Sequence, residues 1–179
     1  MQEQIVINDK TFELFIPENK IASRIKEMAA TINEDYKDLN PLFVAILSGS
    51  FMFASDLFRE IEVHCGITFV KLSSYQGHKS TGDVKELLGV PDSVNYKDII
   101  IIEDIIDTGH TIRVLMDSIR QFKPNSIKIA TLLYKENANI TKEKVDYIGF
   151  DVPEDFLVGY GLDYMEIGRN LRDIYILKK

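Results

Sequence analysis

The chain reads as an α/β protein built on a mainly parallel, doubly wound sheet of five strands flanked by helices. Two observations predict this. Five apolar runs of strand length, "LFVAIL" (42–47), "GITFVKL" (66–72), "DIIIIE" (98–103), "SIKIATLLYK" (126–135) and "VDYIGF" (145–150), lack the alternation of a half-exposed strand, as strands buried on both faces do. Segments of helical character separate several of them, and alternation of strand and helix implies parallel pairing. In such sheets ligands bind beyond the carboxyl ends of the strands. That rule points to Ser48-Gly49-Ser50, to Glu103 through Thr111, and to Lys135.

Each element follows from local pattern. "QIVI" and "TFELFI" flank the turn signal Asn8-Asp9 and predict a hairpin. Between 18 and 38, Ile21, Ile25, Met28, Ile32 and Tyr36 fall on one face at helical spacing, and Asn40-Pro41 ends the helix. Ser48-Gly49-Ser50 turns the first apolar run into a helix over "FMFASDLFRE". A further helix covers 111–122 and closes at Lys123-Pro124. No repeat, low-complexity tract or Pro/Gly/Ser linker divides residues 1–179, which predicts one domain.

Composition narrows the function. The chain has 179 residues, 45% hydrophobic and 27% charged, the balance of an ordinary globule. A net charge of −7 argues against a surface that neutralises a nucleic-acid backbone. The lone Cys65 cannot form an internal disulfide, and its spacing to the three histidines suggests no zinc cluster. No apolar run approaches a membrane span, and "MQEQIVINDK" lacks the basic start and apolar middle of a signal peptide. The expectation is a cytoplasmic protein with neither membrane nor nucleic-acid partners.

"IIIIEDIIDTGHT" (99–111) carries the chemistry. A strand running to about Ile102 places Glu103 and Asp104 at its carboxyl edge, with Ile105-Ile106 as a buried anchor for the following loop. Asp107-Thr108-Gly109-His110-Thr111 then leads into a helix, whose first N–H groups and positive dipole end suit a phosphate. Gly109 allows close backbone approach, and Thr108 and Thr111 supply hydroxyls. Adjacent carboxylates can accept hydrogen bonds from a ribose diol or offer oxygen ligands to magnesium. Asp-Thr-Gly alone reads more simply as a helix cap. The full spacing, Glu-Asp-x-x-Asp-Thr-Gly-x-Thr behind an apolar strand, is far more specific.

That spacing resembles the phosphoribosyl pyrophosphate motif of the type I phosphoribosyltransferases. Four other ordered segments extend the resemblance to the hypoxanthine (6-oxopurine) enzymes. "ILSGSFMFASDL" is similar to their first, pyrophosphate-binding loop, and "SSYQGHKSTGDVK" to their mobile second loop. "TLLYK" and "FLVGYGLDYMEIGRNLRDIY" are similar to their base-binding segments. The resemblance implies the type I fold: a mainly parallel five-stranded sheet, a small hood from about 1–16 and 151–179, and a mobile loop over about 74–84. It implies a purine-salvage glycosyltransferase joining hypoxanthine, often guanine, to phosphoribosyl pyrophosphate. By the same resemblance the expected products are IMP or GMP and pyrophosphate, the expected cofactor is Mg2+, and the expected assembly is a homodimer or homotetramer formed through helices near the first loop.

Residue by residue, the resemblance gives Asp107 to N7 of the purine as general base. Glu103 and Asp104 go to the ribose hydroxyls and magnesium, and Thr108, Gly109, His110 and Thr111 to the 5′-phosphate. Ser48, Gly49 and Arg169 face pyrophosphate, and Asp163 is a second magnesium-site residue. Lys135 bonds the 6-oxo group, Phe156 stacks on the purine, Leu157 offers backbone to the base edge, and Ser74 and Tyr75 form the closing pair. Lys135 could otherwise be an exposed strand end, Phe156 core, Asp107 a loop cap, and Asp163 and Arg169 surface charges. The polar loop could likewise be a plain surface loop. Two positions depart from the pattern: Ser48 stands where a basic residue is common, and His110 where lysine is common. The resemblance also implies a cis peptide at Ser48–Gly49. Rival readings are a nucleotide-sensing regulator on the same fold, which needs a basic face for nucleic acid, and a phosphatase or receiver domain, which needs a nucleophilic Asp on the first strand.

Overall fold

The computed structural model describes residues 3–74, 84–141 and 143–179. Strands β1 (Gln4–Ile7) and β2 (Lys10–Ile16) form the hairpin expected around Asn8, whose φ of 52° makes the turn. Helix α1 (Glu18–Asp35) starts after Pro17 and buries Ile21, Ile25, Met28 and Ile32; Tyr36, just beyond its end, is buried too. It stops three residues short of the expected limit. Then come β3 (Leu42–Leu47), α2 (Phe51–Arg59), β4 (Gly66–Ser74), β5 (Val84–Leu88), β6 (Asp98–Ile106), α3 (His110–Arg120), β7 (Ser126–Tyr134), β8 (Tyr147–Asp151), β9 (Leu157–Val158) and β10 (Ile174–Leu177).

The central sheet has the order β5-β4-β3-β6-β7-β8. Strands β4, β3, β6, β7 and β8 are parallel, and β5 pairs antiparallel with β4. Sequence pattern missed β5 because "VKELL" carries Lys85 and Glu86 side by side and has no alternating face. Its first residue, Val84, pairs with Ser74, so the ends of the expected mobile loop belong to a hairpin.

Strand β6 explains its own isoleucines. Ile100 and Ile102 join the core beneath α1 and α2, while Ile99 and Ile101 join the core beneath α3. Successive side chains leave a strand on opposite faces, and here helices cover both, so no position in the run can be polar. The strand also runs four residues past Ile102. Its ladder with β7 continues through Glu103↔Thr131 to Ile106↔Tyr134, so Glu103 and Asp104 lie inside the strand rather than beyond it. Ile105-Ile106 extend the ladder instead of anchoring a loop.

A second, antiparallel sheet of order β1-β2-β10-β9 brings the first strands together with the last. It carries Phe156 and Leu157 toward the carboxyl ends of the parallel strands. No helix among the described residues is long and apolar enough to cross a membrane.

Candidate active site

Glu103 and Asp104 are 8% and 7% exposed, two of the few buried charged side chains among the described residues. Glu103 Oε2 has no hydrogen-bond partner. Burial first, and the neighbouring Asp104 carboxylate second, push the Glu103 carboxyl well above the usual carboxylate range. A buried acid with an open oxygen is costly unless something completes it. Glu103 lines a small cavity of about 90 Å³ with residues 105–112.

The turn after β6 builds that cavity. Gly109 has φ 79° and caps α3, which begins at His110, one residue before the expected start. The left-handed conformation suits glycine. The space a Cβ would need is filled by Thr141 Oγ1 and Asn139 Oδ1. Thr108 Oγ1 accepts a hydrogen bond from His110 N at 3.4 Å. The backbone amides of the first helical turn have no intrahelical acceptors, so residues 108–112 present an anion-favouring end beside the acids.

A second cavity, about 180 Å³, gathers Asp104, Asp107, Lys135, Phe156, Asp163 and Arg169. Lys135 is only 7% exposed. Its ammonium donates to Asp107 Oδ2 at 3.0 Å and to the Glu154 carbonyl at 3.4 Å. This ion pair follows from the ladder: Ile106 pairs with Tyr134, so the next residue on each strand, Asp107 and Lys135, meet. Phe156 is 43% exposed and backed by Phe12 at 6.3 Å and Tyr164 at 5.8 Å between ring centroids. Leu157 is buried in β9.

The turn after β3 completes the arrangement. The cis peptide is Leu47–Ser48, one bond earlier than expected, at the very end of the strand. Ser48 is exposed. Gly49 is packed on both sides: a Cβ there would overlap the Asp104 carboxylate, and a Cβ on Gly161 would overlap the Gly49 carbonyl. Arg169 Nη1 donates to the Gly161 carbonyl at 2.7 Å, and its Nη2 meets Asp163 Oδ1 at 2.5 Å. Asp163 Oδ2 also accepts from Glu166 N at 2.7 Å. Gly161 (φ 101°) and the Tyr160–Asp56 hydrogen bond of 2.5 Å escaped the sequence reading. Gly159-Tyr160-Gly161 was the available signal. The backbone of Ser74 ends β4, whereas Tyr75 lies outside the described residues.

The acids suit magnesium in kind, being hard oxygen donors with one oxygen uncommitted. No group of three or more His, Cys, Asp or Glu among the described residues could cage a metal. That fits an ion taken up with one or two carboxylates, water and substrate phosphates, the usual manner for magnesium. A larger apolar groove of about 440 Å³, lined by Leu47, Phe51, Phe58, Ile67 and Phe69, has no acids and lies outside this constellation.

The buried acid generates a prediction. Because its folded pKa is raised, native Glu103 keeps a proton over a pH range where the unfolded chain has lost it. Native stability therefore falls as pH rises from the ordinary carboxylate range to the raised pKa. Glu103→Gln cannot titrate, so urea denaturation in metal-free buffer will show its stability relative to the parent increasing with pH across that window. Parallel stability–pH curves would refute the assignment.

Comparison with known proteins gives the family. The phosphoribosyl transferase domain family matches residues 17–165. The hypoxanthine-guanine phosphoribosyltransferase of Streptococcus pyogenes is 40% identical over 168 residues, 93% of either chain. That of Staphylococcus epidermidis is 44% identical over 166 residues, 92% of this chain and 93% of the relative. The crystal structure of a hypoxanthine phosphoribosyltransferase from Staphylococcus aureus superposes with a TM-score of 0.88 at 41% identity, covering 93% of this chain and 91% of its own. The chain thus belongs to the phosphoribosyltransferase family, and within it to the hypoxanthine phosphoribosyltransferases.

Proposed function

We propose that the protein transfers the 5-phosphoribosyl group of phosphoribosyl pyrophosphate to hypoxanthine, and to guanine, releasing IMP or GMP and pyrophosphate. The observation that carries this reading is the meeting, at one sheet edge, of a buried acid pair, a glycine turn at a helix start and a buried lysine. None of the three alone specifies a sugar phosphate and a purine. Together they match a ligand with a phosphate, a diol and an oxo-substituted ring in that order. The nucleotide-sensing alternative gains no support from these features.

In this mechanism residues 108–111 hold the 5′-phosphate, and Glu103 and Asp104 accept from the ribose hydroxyls. Arg169 and the backbone at Ser48-Gly49 face the departing pyrophosphate. Magnesium, when bound, would supply Lewis-acid neutralisation of the leaving group, with Glu103 and Asp104 as the residues to hold one ion and Asp163 a separate, second site. Phe156 orients the purine against C1′. Lys135 gives a proton-donating contact to the 6-oxo group, and Leu157 offers backbone to the base edge. The Lys135–Asp107 ion pair is then the resting arrangement. A base that draws the ammonium to its oxo group frees Asp107 to accept the proton shed at N7. Adenine presents an amino donor to the same ammonium, and such a buried mismatch discriminates by orders of magnitude.

Closure by Ser74 and Tyr75, which would keep water from the ribosyl cation, is part of the same proposal. So are a cytoplasmic location and assembly as a homodimer or homotetramer. The exposed Phe51 and Phe69 beside the apolar groove near the first loop support the assembly.

Two experiments test the reading. An ultraviolet assay with phosphoribosyl pyrophosphate and magnesium will show turnover with hypoxanthine and little or none with adenine; equal rates would remove Lys135 from base selection. Asp107→Asn will retain nucleotide binding and lose ~10²–10⁴-fold in kcat, the span of a general acid–base group. Undiminished turnover would exclude Asp107 from proton transfer.

A further inference from the structure

The stretch after Lys135 folds back onto the phosphate turn. Asn139 N donates to the Lys135 carbonyl at 3.2 Å, and Ile140 N donates to the Thr108 carbonyl at 3.2 Å. The loop is therefore stitched by backbone to the base-contacting lysine at one end and to the turn at the other. The side chain of Asn139 stands between them. Its Oδ1 accepts from Thr141 N at 3.1 Å and from Thr141 Oγ1 at 2.8 Å, and its Nδ2 donates to Tyr134 Oη at 3.1 Å. Asn139 Oδ1 together with Thr141 Oγ1 and Cγ2 fills the space that a Cβ on Gly109 would take. The left-handed residue that caps α3 thus rests on one half-buried amide rather than on solvent.

A lone Asx turn needs none of this. It would satisfy the loop's own backbone without meeting Gly109, and without a partner on β7. Here the amide is committed on both ends, with the oxygen to the loop and the nitrogen to the last residue of β7, and the assembly is pressed against the turn. Removing it frees Gly109 to shift, and the amides of residues 109–111 shift with it.

We propose that Asn139 is a positioning residue for phosphoribosyl pyrophosphate, acting through Gly109 to hold the 5′-phosphate turn in its binding shape. This rests on the functional reading above. It adds a residue that contacts no substrate but sets the affinity for one of the two.

The test is steady-state kinetics on Asn139→Ala, Tyr134→Phe and Thr141→Val, with both substrates varied and thermal unfolding followed alongside. The Ala variant is expected to raise KM for phosphoribosyl pyrophosphate about tenfold, and the two variants that delete one hydroxyl about threefold each, the range of one ordinary net hydrogen bond. KM for hypoxanthine and kcat are expected to stay within about twofold. If Asn139→Ala fails to fold, the two hydroxyl deletions decide alone by the same split. Overturning results are an unchanged KM for phosphoribosyl pyrophosphate, or both KM values rising together with lowered melting temperature, which marks a general loss of structure. Failure of the functional reading looks different, because the parent protein itself would show no saturable dependence on phosphoribosyl pyrophosphate.

Discussion

Two neighbouring carboxylates lie within a strand that, after its first residue Asp98, is otherwise built of isoleucine, and the surrounding structure is arranged around that fact. The apolar faces of β6 are each covered by helices, so the strand cannot leave the sheet to hydrate its acids. Glu103 is left with an oxygen lacking any partner, and burial favours its protonated form. A folded protein tolerates such a group when a ligand completes it, at some expense of stability in the empty state. On the proposed reading, the ribose diol and magnesium are what complete it.

The glycines around the acids then acquire specific reasons. Gly49 lacks a side chain because the Asp104 carboxylate occupies the place where one would stand, and Gly161 because the Gly49 carbonyl does. Close packing of backbone on backbone brings the first loop and the Gly159–Gly161 segment together over Asp104, with Arg169 bonded to the same segment. At the other end, parallel pairing of β6 with β7 places Asp107 beside Lys135. On the proposed reading, proton acceptor and ring-selecting donor are thereby coupled by sheet register. The turn at 108–111, joined to the Lys135 loop through the Ile140–Thr108 bond, shares that frame.

Much of this was legible in the residues. Buried parallel strands announce themselves by unbroken apolar runs, and the hairpin at Asn8 and the helix over Ile21 to Ile32 follow from turn chemistry and period. The acid-rich turn was legible because its spacing is dense. What escaped is set by distant neighbours. The extension of β6 through Glu103 and Asp104 depends on the ladder with β7, which overrides the reading that acids end a strand. Strand β5 has too little pattern of its own and exists by pairing with β4. The position of the cis bond and the packing of Gly161 on Gly49 are three-dimensional facts with no local signature beyond glycine itself. Asn139 likewise carries no local signal, because its contact is with Gly109, thirty residues earlier in the chain.

On the proposed reading, Glu103, Asp104 and the turn at 108–111 form one grip on a phosphorylated pentose, with Lys135 and Phe156 addressing the attached ring. A crystal structure of the protein soaked with IMP tests it most directly. The expected result is the 5′-phosphate against residues 108–111, ribose hydroxyls on the two acids, and the purine on Phe156 with its oxo group toward Lys135. A nucleotide that left this pocket empty and bound elsewhere would contradict it.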